Sequence, residues 1–137
     1  MWLRARILIA KSHIDLVKIF FHIKEESYGN KNFYDAVLID DNKVIRDYWE
    51  LYAGKKGKNF ISFESLEKFY SQISSIDRSC PIYINSDLGS GESGDIAARR
   101  LKEFYSFKSI FICTAYPSVD IKKVPWIDSI VGKQPTW

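Results

Sequence analysis

Short apolar runs alternate along this chain with stretches in which apolar residues recur every three or four positions. The runs are Ala36–Ile39, Phe60–Phe63, Pro81–Ile84, Ile110–Cys113 and Ile127–Val131. Runs of this length, bounded by polar loops, predict buried strands. Between them, Val44, Ile45, Tyr48, Trp49 and Tyr52 mark one face of a helix closed by Gly54 or Gly57. Leu66, Phe69, Tyr70 and Ile73 mark a second helix, and Ala97, Leu101, Phe104 and Tyr105 a third that Ser93 caps near Asp95. A brief helical turn is expected around Val119–Lys123. Ahead of the first strand, Ser12 with Asp15 three residues on is a capping-box pattern. Leu16, Ile19, Phe20 and Ile23 then repeat at helical spacing until Gly29-Asn30.

Continuous apolar strands separated by amphipathic helices predict an α/β fold, a three-layer sandwich around a five-stranded parallel sheet. Right-handed crossovers place all the strand ends on one side, and a flavodoxin-like strand order 2-1-3-4-5 suits five strands of this length. Residues 1–33 are expected to be an N-terminal helical extension and 34–137 the α/β domain. The helix that would follow the fifth strand is missing, because only four residues come after Lys133. The extra helix over 12–26 is a candidate to cover the surface left bare, or to mediate a homodimer.

Ligands of open α/β sheets sit beyond the carboxyl ends of the strands. There this chain places Asp40-Asp41 after the first strand, Asn85-Ser86-Asp87 after the third, Thr114 after the fourth and Lys133 after the fifth. Taken singly, each has a plainer role. Asp40-Asp41 suits a helix start, Thr114 a strand-end hydroxyl, and Lys133 a solvated lysine. Gly89, Gly91 and Gly94 make a turn rather than a phosphate loop, since no Walker lysine follows.

With 137 residues the chain has room for one packed core. Twenty basic against 17 acidic residues give a net charge of +3, too balanced for direct nucleic-acid binding. Lys55-Lys56-Gly57-Lys58 is short enough to be a solvated turn. The apolar stretch Ile7–Ala10 meets Lys11 after four residues, which excludes a membrane span or export signal there. Two cysteines, Cys80 and Cys113, imply no disulfide framework and fit a cytoplasmic protein. His13 and His22 lie far from the acidic positions and are expected to pack or hydrate.

Residues 34–137, about three quarters of the chain, resemble a response-regulator receiver domain of the chemotaxis type. The resemblance rests on Leu38-Ile39-Asp40-Asp41-Asn42 with Arg46, Ile84-Asn85-Ser86-Asp87-Leu88-Gly89 with Gly94, Ile112-Cys113-Thr114-Ala115, and Val131-Gly132-Lys133 with Pro135. It implies a magnesium ion on Asp40 and Asp41, a phosphate pocket of Thr114 and Lys133, and Asn85 at the phosphoacceptor position. It also implies a sensor kinase or another signalling protein of a two-component phosphorelay as partner. The chain departs from the family at Asn85, because a neutral amide forms no acyl phosphate. The amide also removes an anionic oxygen that hard cations prefer, so Mg2+ binding is expected to be weakened. Ile130 stands where an aromatic is common. These departures imply a pseudo-receiver, a binding module and not an enzyme.

Two alternatives remain open at this stage. One is a working receiver phosphorylated on Asp87 or by a variant route. The other is a small phosphohydrolase of the haloacid dehalogenase type, whose first motif Asp40-Asp41-Asn42-Lys43-Val44 approximates. That class needs a further acidic pair after the lysine, where this chain has only Gln134, Pro135, Thr136 and Trp137.

Overall fold

The computed structural model of the chain describes residues 31–89, 93–115 and 124–137. The helix expected over 12–26 and the turn expected at 119–123 lie outside the described residues. Among the described residues nine elements follow one another: β1 (Ala36–Ile39), α1 (Lys43–Lys56), β2 (Phe60–Phe63), α2 (Leu66–Gln72), a 3-10 turn (Ile73–Ser75), β3 (Ile82–Asn85), α3 (Gly94–Glu103), β4 (Ile110–Cys113) and β5 (Ser129–Val131). The five strands form one sheet in the order β2-β1-β3-β4-β5, and every pairing is parallel. The fold is therefore flavodoxin-like.

Burial explains why these strands are apolar throughout rather than alternating. All four residues of β1 are buried, as is every residue of β3 but the last. One face of the sheet sends Val37, Ile39, Ile82, Ile84, Ile110 and Ile112 into a core with Leu66 and Phe69 of α2 and Ala97, Ala98 and Leu101 of α3. The opposite face sends Ala36, Leu38, Tyr83 and Cys113 against Trp49 of α1. Trp49 is fully buried and stands edge-on to Tyr83, with ring centroids 5.1 Å apart. Burial of that ring anchors α1, since truncating a buried Trp costs about 3–5 kcal/mol.

Residues 132–137, beyond β5, form no helix. Instead the tail crosses the α1 face and places Trp137 against Trp49, Tyr52 and Phe60, at centroid distances of 5.9, 5.4 and 6.3 Å. At the other end, Asn32 N donates to Ser75 O (2.7 Å) and Tyr34 N to Cys80 Sγ (3.1 Å). The chain is thus tied to the 3-10 turn and to the loop before β3 ahead of β1.

Helix boundaries follow local chemistry. Asn42 caps α1, its side-chain oxygen accepting from Val44 N at 2.9 Å, so neither acidic residue before it is the cap. Gly57 ends the helix in the left-handed region at φ 65°, where a side chain would be strained. Ser65 caps α2 by accepting from Lys68 N. Ser93 occupies the N-cap of α3 but makes no side-chain capping bond. Asp95 instead accepts from Trp126 Nε1 at 2.8 Å.

One expected helix face is rotated. Ile45, Trp49, Tyr52 and Ala53 point inward, whereas Val44 and Tyr48 lie exposed on the flank. At 100° per residue both sets are periodic, and the inward one is set by where Trp49 fits over the sheet. Cys80 and Cys113 are both buried and free. No described helix is long and apolar enough to cross a membrane.

Candidate functional site

The carboxyl ends of β1, β3 and β5 bring Asp40, Asp41, Asn85 and Lys133 into one hydrogen-bonded cluster. Asp40 follows β1 and is fully buried, and a carboxylate removed from water must be compensated by donors or a cation. Three groups do this. Asn42 N and Asn85 Nδ2 donate to Oδ1 at 2.9 and 3.3 Å, and Lys133 Nζ donates to Oδ2 at 3.0 Å. Arg46 Nη1 donates to the Asp40 carbonyl at 2.8 Å, fixing the turn from β1 into α1.

Asn85 is the hub. Its Nδ2 also donates to exposed Asp41 Oδ1 at 3.2 Å, and its Oδ1 accepts from Lys133 Nζ at 2.6 Å. Electrostatics fixes the orientation of the amide. Turned over, it would aim N–H groups at an ammonium and an oxygen at two carboxylates, losing every favourable contact. The amide thus bridges two anions and one cation and serves both with the correct sign.

Lys133 is positioned by its own backbone as well. Its carbonyl accepts from Trp49 Nε1 at 2.8 Å, so the buried ring that anchors α1 also holds the lysine loop. Sequence reasoning treated Trp49 only as part of a helix stripe. A strand-end lysine and a buried indole, 84 residues apart, carry no local signal of this contact.

The third strand's loop is shaped by close approach. A Cβ on Gly94 would lie 2.2 Å from the Asn85 carbonyl oxygen and 3.0 Å from its carbon. Only glycine lets the first turn of α3 pack directly on the Asn85 backbone. Ser86 N donates to Cys113 O at 2.9 Å, and Ser86 O accepts from Gly94 N at 3.1 Å. Asp87 is exposed, its Oδ1 accepts from Gly89 N at 3.0 Å, and its backbone bridges to Ser93.

Thr114 lies at the end of β4, 9% exposed, with its backbone N–H donating to Val131 O at 3.0 Å. The described bonds of the Lys133 ammonium go to Asp40 and Asn85. Cys113, in register with Asn85, adds a thiol near the pocket. Burial pushes its pKa up to about 12, so it stays protonated and is no nucleophile at neutral pH.

The arrangement fits a divalent cation poorly. No group of three or more His, Cys, Asp and Glu side chains suited to a metal occurs among the described residues. Among the described residues Asp40 and Asp41 supply the two carboxylates of the cluster, and the Asn85 amide donates N–H bonds to both. To offer its oxygen to a cation, Asn85 would have to turn over and surrender its bond from Lys133. The substitution Asn85→Asp supplies a third anionic oxygen, so Mg2+ affinity is expected to rise by about tenfold or more, equivalent to about 1.4 kcal/mol. Calorimetric titration of both proteins checks this. Equal affinities would mean that position 85 does not face the ion.

Comparisons with protein-family models, with curated proteins and with solved structures returned no match.

Proposed function

We propose that this chain is a receiver-like signalling module, a pseudo-receiver of a two-component phosphorelay, that acts through protein–protein contact with little or no aspartyl phosphorylation. The observation that carries this reading is Asn85, held between Asp40, Asp41 and Lys133 where a phosphoacceptor would need a carboxylate. Acids and a cation meet at the carboxyl ends of the strands, as a phosphoryl pocket requires, and Thr114 follows β4 on the same side. Phosphoryl transfer depends on such positioning and charge neutralisation. At the phosphoacceptor position the cluster offers an amide in place of a carboxylate, and an amide does not attack phosphorus to give a stable acyl phosphate. Asp87 is not a ready substitute, since it sits exposed in the loop with one oxygen engaged by Gly89 N. The partner on this reading is a sensor kinase or another signalling protein that recognises the fold, and Mg2+ binds weakly if at all.

Intact-mass measurement after incubation with acetyl phosphate and Mg2+ tests the proposal. The wild-type protein is expected to gain no phosphoryl adduct, and Asn85→Asp to gain one that hydroxylamine removes. A wild-type adduct that disappears in Asp87→Asn would overturn the reading in favour of a working receiver. Absence of an adduct from Asn85→Asp would separate the pocket from phosphoryl chemistry altogether.

A further inference from the structure

Lys133, Asn85 and Asp40 stand to one another as nucleophile, electrophile and proton carrier. Lys133 Nζ is 2.6 Å from Asn85 Oδ1 and 3.0 Å from Asp40 Oδ2, and Asn85 Nδ2 is 3.3 Å from Asp40 Oδ1. One carboxylate therefore touches both the amine and the amide nitrogen, each with a different oxygen. With a C=O bond of about 1.2 Å, the amide carbon lies within about 3.8 Å of Nζ. A near-attack separation is about 3–3.5 Å. Rotation about the lysine's own side-chain torsions swings Nζ from the oxygen onto the face of that carbon.

We propose that Lys133 and Asn85 join in a side-chain isopeptide bond, with ammonia as the leaving group, in a reaction the folded protein carries out on itself. The described geometry is that of the pair before it is joined. Burial drives the first step. Asp40 is fully buried and the Lys133 side chain is 23% exposed. Passing a proton from Nζ to Oδ2 exchanges two charges for two neutral groups, which a site poor in water favours. The neutral amine attacks Cγ of Asn85, and the carbonyl electrons move onto Oδ1 as the new N–C bond forms. Asp87 N donates to Oδ1 at 3.4 Å, so it faces the oxygen on which that charge develops. Asp40 hands its proton to Nδ2 and takes a second one from Nζ to replace it. The Cγ–Nδ2 bond then breaks. Both protons lost by Nζ leave with the departing nitrogen as ammonium, and Asp40 returns to its carboxylate.

Competing fates of the amide are held back. Ser86 N is the backbone group that would close a succinimide on Asn85, and it donates instead to Cys113 O at 2.9 Å, continuing the β3–β4 ladder. Water must compete with an amine already in contact, an advantage worth on the order of 10⁵ M or more in effective concentration for well-oriented groups. The link ties β3 to β5 across β4. The sheet order places β5 at the edge, and its three residues are only partly buried. A cross-link spanning 48 residues constrains the unfolded chain as a disulfide does, without dependence on redox state. The inference stands on the geometry of these three side chains and not on the receiver reading.

Intact-mass and peptide-mapping measurements on the full chain test the link. After folding and incubation, the wild type is expected to be lighter by one ammonia, and its digest to contain a branched peptide joining positions 85 and 133. Protein held unfolded in urea is expected to keep its full mass. Lys133→Arg retains a cation beside Asp40 but no nucleophilic amine, and is expected to lose the link entirely. Asp40→Asn is expected to form it at least about a hundredfold more slowly, the range for removal of a proton-transfer group. Circular dichroism checks that both variants are folded. Lys102→Arg, in an ion pair with Asp128, is expected to keep the link. A folded wild type of full mass would overturn the proposal. Ammonia loss that survives Lys133→Arg would also overturn it, by marking a succinimide, as would a gain in mass at position 85, by marking hydrolysis. These outcomes leave the receiver reading to the acetyl phosphate assay, whose Asn85→Asp arm reports on it separately.

Discussion

Replacing Lys133 by methionine is expected to destabilise the protein by about 3 kcal/mol, the range seen when one partner of a buried ion pair is removed. The cause is the fully buried Asp40, whose Oδ2 receives its only described bond from Lys133. Without the ammonium, that carboxylate keeps Asn42 N and the Asn85 amide on Oδ1 but has no cation. Methionine preserves most of the length and apolar contact of the side chain, so the loss reports charge rather than packing. Asp40→Asn is expected to cost about 1 kcal/mol, because Lys133 is partly exposed and can turn toward water. The double variant is then expected to cost less than the sum of the singles, the mark of direct coupling. A useful contrast is Lys43→Met, which breaks an exposed i,i+4 pair with Asp47 and is expected to cost no more than about 0.5 kcal/mol. Urea midpoints of the four variants check this. A Lys133→Met midpoint within error of Lys43→Met would mean that Asp40 is solvated in solution.

The sheet was legible in the sequence because its signal is local and redundant. Four-residue apolar runs such as Ala36–Ile39 and Ile110–Cys113 are buried on both faces and need no partner to be recognised. Handedness put the strand ends on one side, and the order 2-1-3-4-5 was chosen as the flavodoxin-like one that suits five short parallel strands, which the sheet has. The polar residues at the strand ends were legible for the same reason, since a parallel sheet gathers them on one side. What each residue does there was not legible. The bond from Lys133 to Asn85 joins residues 48 apart, and the bond to Asp40 joins residues 93 apart. Both depend on side-chain reach that no periodicity encodes. The face of α1 was misplaced because Val44 and Tyr48 extend the same apolar row by one position, and only packing of Trp49 decides which row turns inward. Ser93 was recognised as a cap from residue type and does occupy the N-cap of α3, but its side chain makes no capping bond.

The contact of Gly94 with the Asn85 backbone yields the second large effect. Gly94→Ala is expected to destabilise the protein by about 3 kcal/mol, although alanine favours helix by about 1 kcal/mol over glycine. The added Cβ would stand 2.2 Å from Asn85 O, 3.0 Å from Asn85 C and 3.1 Å from Ser86 Cα. All three obstacles are backbone atoms, so no rotamer change relieves them and either α3 or the end of β3 must shift. Movement of α3 would strain the bond from Gly94 N to Ser86 O and the packing of Ala97, Ala98 and Leu101. Movement of β3 would displace the Asn85 amide from Asp40 and Lys133. Gly54 provides the control within the same protein. It lies inside α1, and a Cβ there meets nothing within 4 Å, so Gly54→Ala is expected to stabilise by about 0.5–1 kcal/mol. Thermal melts should therefore move in opposite directions for two identical substitutions. A Gly94→Ala protein that melts as high as the wild type would show that α3 does not rest on the Asn85 backbone. Position 85 would then lose the support that holds its amide between the two carboxylates and the lysine.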